Sequence, residues 1–148
     1  MKYEMTKVQA VDIYNSIATS YFLKQDYGMA FQAYERLYKV VDEIEKTPDL
    51  VALYTMALHN AGMCQYHLGL DREGEKNIKR AIRAAKTGFE NDTLRKVIYQ
   101  LYLQTFYISL AKIQLEHNNN NGACISFKQA LQYGNDEAKK FIKRYCEK

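Results

Sequence analysis

Hydrophobic, small and polar positions share one spacing in three stretches of this chain. Tyr14 to Tyr34, Leu58 to Ile78 and Tyr107 to Phe127 each span twenty residues. A small residue sits four before the end of each span, at Ala30, Gly74 and Ala123, and small residues lie near each start, at Ala18, Ala61 with Gly62, and Ala111. Small side chains at a fixed interval are what two antiparallel helices need where their backbones cross closely. The pattern therefore predicts a series of helical hairpins.

The capping residues place the elements. A first helix is expected over residues 4–24, then a turn at Gln25-Asp26-Tyr27 in which Asp26 caps a second helix running to about Lys46. Thr47-Pro48-Asp49 is a start signal: a Thr cap, Pro where a missing N–H costs nothing, and an acid beside the positive helix end. The third helix runs to about Leu68, residues 69–71 turn the chain, and the fourth ends near Gly88. Asn91-Asp92-Thr93 offers caps for a long fifth helix to about His117, and the Asn118–Asn121 run serves as a permissive turn, since Asn tolerates left-handed backbone. After Gly134 a last helix has Ala138, Phe141, Ile142 and Tyr145 on one face and Lys139, Lys140, Lys143 and Arg144 on the other. The chain is all-α, with about seven helices and one proline.

The residues on the common spacing resemble the tetratricopeptide repeat, with its large aromatic, Leu-Gly pair, Tyr, Ala and second aromatic. The first copy reads Tyr14, Ile17-Ala18, Tyr21, Ala30, Tyr34; the second Leu58, Ala61-Gly62, Gly74, Ile78, Ala81, with Gln65 at the Tyr position; the third Tyr107, Leu110-Ala111, Ala123, Phe127, Ala130, with Gln114 there. The family repeats every ~34 residues. These copies start at 14, 58 and 107, that is 44 and 49 apart, so the surplus lies between repeats. The resemblance implies one domain over residues 1–148, a right-handed α-solenoid with repeats at about 11–46, 55–88 and 104–134 and a capping helix at 136–146.

In such a solenoid the first helix of each hairpin lines a concave groove. The resemblance puts Asp12, Asn15, Thr19 and Phe22, then Met56, His59, Asn60, Met63 and His67, then Ile108, Ser109 and Lys112 on that groove. Amides, hydroxyls, thioethers and an aromatic ring suit an extended or helical peptide. Family members that grip chaperone carboxyl termini use a clamp of Lys and Asn on the first helix, Asn on the third, and Lys and Arg on the fifth. Here the matching positions are Asn15 and Thr19, Asn60, and Thr105 and Ser109, so only Asn60 fits and that ligand is not expected.

Other features narrow the function further. A net charge of +4 is mildly basic and discriminates little between partners. On the fourth helix Arg72, Lys76, Lys79, Arg83 and Lys86 form a stripe, read as a solvated face or as a dock for an acidic partner. It lacks the interleaved aromatics of a nucleic-acid reader. Tyr99 and Tyr102, with Val97, Ile98 and Leu101, precede the third copy's spacing, so the Leu94–Leu103 region is a candidate homodimer surface unless the fourth helix covers it.

Cys64, Cys124 and Cys146 are widely spaced without a CxxC, which indicates neither a disulfide framework nor a zinc site and favours a reducing, cytoplasmic setting. Met1-Lys2-Tyr3-Glu4 lacks the apolar run of a secretory signal, and polar Gln100, Gln104, Lys112 and Gln114 interrupt the most apolar segment, so no membrane association is expected. His59, Met63 and His67 recur on one helix face beside Cys64, but no further metal donors are signalled. No phosphate loop, nucleophile elbow or HExxH occurs. The expected function is a non-catalytic scaffold for a protein or peptide, without cofactor. The alternatives are a regulatory domain like the repeat regions of bacterial pheromone receptors, or a secretion chaperone.

Overall fold

The computed structural model describes residues 6–147, so residues 4 and 5 of the expected first helix lie outside it. Among the described residues there are seven helices and no strand: α1 (Lys7–Leu23), α2 (Tyr27–Val41), α3 (Pro48–His67), α4 (Asp71–Glu90), α5 (Lys96–Glu116), α6 (Asn120–Gln132) and α7 (Ala138–Tyr145). Each helix packs on its neighbours in sequence, and α3 also touches α5. No described helix is long and apolar enough to cross a membrane.

The three hairpin turns share one geometry. Asp26 N–H donates to the Tyr21 carbonyl at 2.9 Å, Leu70 to Gln65 at 2.8 Å, and Asn119 to Gln114 at 2.9 Å. The residue before each donor is left-handed: Gln25 at φ 62°, Gly69 at 82° and Asn118 at 59°. Asp26 and Asn119 cap the following helices through Met29 N–H and Gly122 N–H, whereas Leu70 in the same backbone shape has no oxygen to offer. The asparagine run is thus half turn, half helix, because Asn120 and Asn121 already belong to α6.

Small residues close the crossings as their spacing implies. Ala18, Ala30, Ala61, Ala111 and Ala123 are all fully buried. The tightest contact joins α3 to α4, where a Cβ on Gly74 would lie 2.6 Å from the Gly62 carbonyl oxygen and one on Gly62 would lie 2.8 Å from that of Gly74. The two Gln residues at the Tyr position are buried and reach across their hairpins. Gln65 accepts from Asn77 Nδ2, and Gln114 accepts from Ser126 Oγ at 2.7 Å. In the first hairpin the corresponding pair is Tyr21 and Ala33, a large ring beside a small residue.

The ends of α2 and α5 differ from expectation. The second helix stops at Val41, and Lys46 lies in the following loop. Asp92 is left-handed at φ 57°, Leu94 N–H and Thr93 Oγ both donate to the Gly88 carbonyl, and α5 begins at Lys96 without a side-chain cap. The Asn91-Asp92-Thr93 segment therefore closes α4 instead of opening α5. Between the second and third copies the surplus is spread over the lengthened α4, this loop and the added first turns of α5; between the first and second it lies in the loop after Val41 and the first turns of α3.

The expectation of three reduced thiols is corrected. Cys124 on α6 is disulfide-bonded to Cys146, just beyond α7, with Cα atoms 5.7 Å apart, and only Cys64 is free and buried. A separation of 22 residues carries no signal in the sequence, because α7 must first fold back over α6 to bring the sulfurs together. Closing a loop of this length contributes on the order of 3 kcal/mol by restricting the unfolded chain. Cysteine usage therefore no longer argues for a reducing compartment.

The two ends of the row are finished differently. Ile13 and Ile17 on α1 are 46% and 40% exposed, whereas the equivalent Ala57 and Phe106, and Ala61 and Leu110, are buried under the preceding helices. At the other end α7 lays Ala138 and Ile142 into the core, and Phe141 stacks on Phe127 at 4.9 Å.

Candidate functional site

The face shared by α1, α3 and α5 carries a continuous run of side-chain hydrogen bonds. Tyr34, fully buried on α2, accepts from Asn60 Nδ2 of α3 at 3.2 Å; burial raises its pKa, and Asn60 and the Thr19 side chain of α1 offset part of that rise. Asn60 Oδ1 is 3.1 Å from His59 Nδ1, and His59 Nε2 is 2.8 Å from Ser109 Oγ on α5. An amide oxygen only accepts, so Nδ1 carries the imidazole proton and Nε2 accepts from the serine hydroxyl. The His59 ring also stacks on Phe106 at 4.8 Å. Burial lowers its pKa to about 4, so the ring is neutral at physiological pH.

Ser109, His59 and Asn60 have the connectivity of a hydrolase triad, but the surroundings oppose that chemistry. The imidazole is too weak a base, and a neutral amide gives an imidazolium little support. Ser109 also sits inside α5, where backbone N–H groups are committed to helix bonds and none forms an oxyanion hole. The relay joins α2, α3 and α5 through the two buried rings of Tyr34 and His59.

The other expected groove residues divide into presented and engaged side chains. Thr19 is exposed, and Asn15, Phe22, Met56, Asn60, Met63 and Ser109 are partly exposed along this face. Asp12 is exposed on α1. His59 is only 6% exposed and Ile108 9%, so both belong to the interior. The His67 ring lies flat on Tyr27 of α2 at 4.2 Å, with Phe22 edge-on to the same tyrosine at 5.6 Å. The Lys112 ammonium lies 5.6 Å above the Phe141 ring of α7. Helical spacing alone gave no signal of these cross-helix partners. As for the imagined metal ligands, both His59 nitrogens are occupied and burial pushes the Cys64 thiol up to about 12.

On α4, Arg72, Lys76, Lys79 and Arg83 are exposed, while Lys86 is half-buried over the Tyr107 ring at 5.6 Å. A hydrogen bond to the Tyr107 side chain raises the Lys86 pKa. Lys79 pairs with Glu75 at 3.5 Å. In the Leu94–Leu103 region the lengthened α4 does provide cover. Phe89 stacks on Tyr99 at 4.3 Å, Tyr102 donates to the Ala52 carbonyl at 3.1 Å, and Leu94 and Leu103 are buried. The large apolar residues that stay exposed there are Val97 and Leu101, at 68% and 54%.

Comparison of the chain with protein-family models, with curated proteins and with solved structures returns no match in any of the three.

Proposed function

We propose that this chain is a non-catalytic scaffold, a tetratricopeptide-like right-handed stack of helical hairpins that holds a protein or peptide segment against the face formed by α1, α3 and α5. The observation that carries this reading is the relay from Tyr34 through Asn60 and His59 to Ser109. It ties α3 to α5 and to α2, the partner of α1, so the outward positions of α1, α3 and α5 act as a single surface. Partly exposed Asn15, Asn60 and Ser109 offer hydrogen-bonding groups to a peptide backbone, while Phe22, Met56 and Met63 offer adaptable apolar contact. Contact order also supports stacking, since helices pair with their sequence neighbours and α3 meets α5.

The test compares two surface variants in affinity purification followed by titration with the captured partner. Asn15→Arg with Lys112→Glu alters the proposed face, and Arg72→Glu with Lys76→Glu alters α4. The first is expected to lose about tenfold or more in affinity with an unchanged melting temperature, and the second to bind like wild type. The opposite result would place the partner on α4 and remove the groove from consideration.

A further inference from the structure

A second site lies away from that face. Between the first half of α3 and the second half of α4, at the end of the hairpin remote from the Gly69 turn, is a half-open pocket of about 540 Å³. Lys46 comes to it from the loop before α3, and Arg83 from α4. Val51 and Ala84 give it an apolar lining, with the Tyr54 ring and the Thr87 hydroxyl beside them. None of the lining residues is acidic. The volume falls in the range of sites for small organic molecules.

The charges here are uncompensated. Neither Lys46 nor Arg83 forms an ion pair among the described residues, and the Lys46 ammonium is held 5.3 Å over the Tyr54 ring on the pocket wall. Along α4 the residues one turn from Arg83 are Lys79, Arg80, Lys86 and Thr87, so the adjacent turns of its own helix add repulsion and no acid. Lys79 and Lys86 have found partners in Glu75 and Tyr107; Arg83 has not. Two unpaired cations over an apolar lining, with a hydroxyl beside them, are complementary to an anion that carries an apolar body.

We infer that this pocket binds a small organic anion, a carboxylate or phosphate monoester joined to an apolar or aromatic group, with Arg83 and Lys46 holding the charge and Val51, Tyr54 and Ala84 receiving the body. The site uses no residue of the α1–α3–α5 face and stands independently of the function proposed for it.

The experiment is a titration of the full chain followed by amide NMR shifts, with phenyl phosphate, benzoate, inorganic phosphate and benzyl alcohol as probes. Saturable shifts centred on Val51, Tyr54, Ala84 and Thr87 are expected with phenyl phosphate or benzoate, and whichever binds more tightly identifies the anionic group. Inorganic phosphate and benzyl alcohol, each lacking half of the required chemistry, are expected to bind at least about tenfold more weakly. Arg83→Gln with Lys46→Gln should lower affinity for the better aromatic anion by about tenfold or more while the melting curve stays unchanged. Ala84→Leu, which fills the pocket and keeps both cations, should do the same. If neither aromatic anion gives saturable shifts, or if binding survives both the charge-neutralised and the filled variants, the pocket is not an anion site.

Discussion

The first and second hairpins share a turn but differ in how their helices are held together. At equivalent crossing positions the first hairpin places Ala18 and Ala30 and the second places Gly62 and Gly74. The second pair brings backbone within reach of backbone, so close that neither glycine has room for a methyl group. One layer further, the first hairpin fits the Tyr21 ring beside Ala33, whereas the second joins Gln65 to Asn77 by a hydrogen bond. The third hairpin is mixed, with Ala111 and Ala123 at the crossing and Gln114 bonded to Ser126 inside. Side-chain volume and polar pairing are thus chosen separately at each layer, and one backbone geometry tolerates both.

The largest expected effect tests the crossing. Gly→Ala inside a helix ordinarily stabilises by up to about 1 kcal/mol. Gly74→Ala should instead destabilise by about 3 kcal/mol in urea denaturation, because the new methyl meets a carbonyl oxygen. The equivalent Ala30→Gly should cost only about 1 kcal/mol. A stabilised Gly74→Ala protein would mean that the two crossings do not differ.

Next in size is a pH effect confined to the second hairpin, where His59 stands at the position held by Asn15 in the first. Its imidazole is neutral in the fold, with a pKa of about 4, while the unfolded chain takes up the proton near the ordinary imidazole value of 6.5. Stability is therefore complete above pH 6.5 and is lost as pH falls towards 4, by up to about 3 kcal/mol. Denaturation midpoints across this window should show the loss, and His59→Asn should flatten the slope whatever it does to the absolute level.

The buried amides come third. Gln114→Leu leaves the Ser126 hydroxyl without its partner in the interior and should cost about 2 kcal/mol, while the double variant with Ser126→Ala should recover most of this in thermal melting. Gln65→Leu should cost less than Gln114→Leu, because Asn77 is only half-buried and its side chain also accepts from Arg80 at 3.0 Å. Equal costs would mean that burial does not separate the two pairs. The smallest effect concerns the turns: Leu70→Asn would supply the cap that Asp26 and Asn119 already provide, raising stability by about 1 kcal/mol. A melting temperature unchanged by Leu70→Asn would show that the three turns are not interchangeable.

Much of the fold was legible because it is local. Asp26, Thr47-Pro48, Gly69 and Asn118-Asn119 act on backbone a few residues away, and each marks a turn or helix start in the structure. The crossings were legible because small residues at a fixed interval have one packing use. Asn91-Asp92-Thr93 misled because the same residue types that start a helix also close one, and only the carbonyl they meet, that of Gly88, decides between the two. The common spacing gave which residues of α1, α3 and α5 stand at equivalent positions, but not their state. His59 and Ile108 turned inward because α5 lies against α3, and Lys112 is drawn over Phe141 because α7 folds back over α6.

By itself the sequence determined an all-helical chain with three helical pairs and tightly crossing backbones, since period, caps and small residues act over a few turns of one hairpin. Tertiary structure alone decided the Cys124–Cys146 bond, the buried relay through His59 and the meeting of Lys46 with Arg83 at one pocket. Each of these joins residues from different helices or loops, whose approach depends on how whole hairpins pack, and no short-range spacing encodes it.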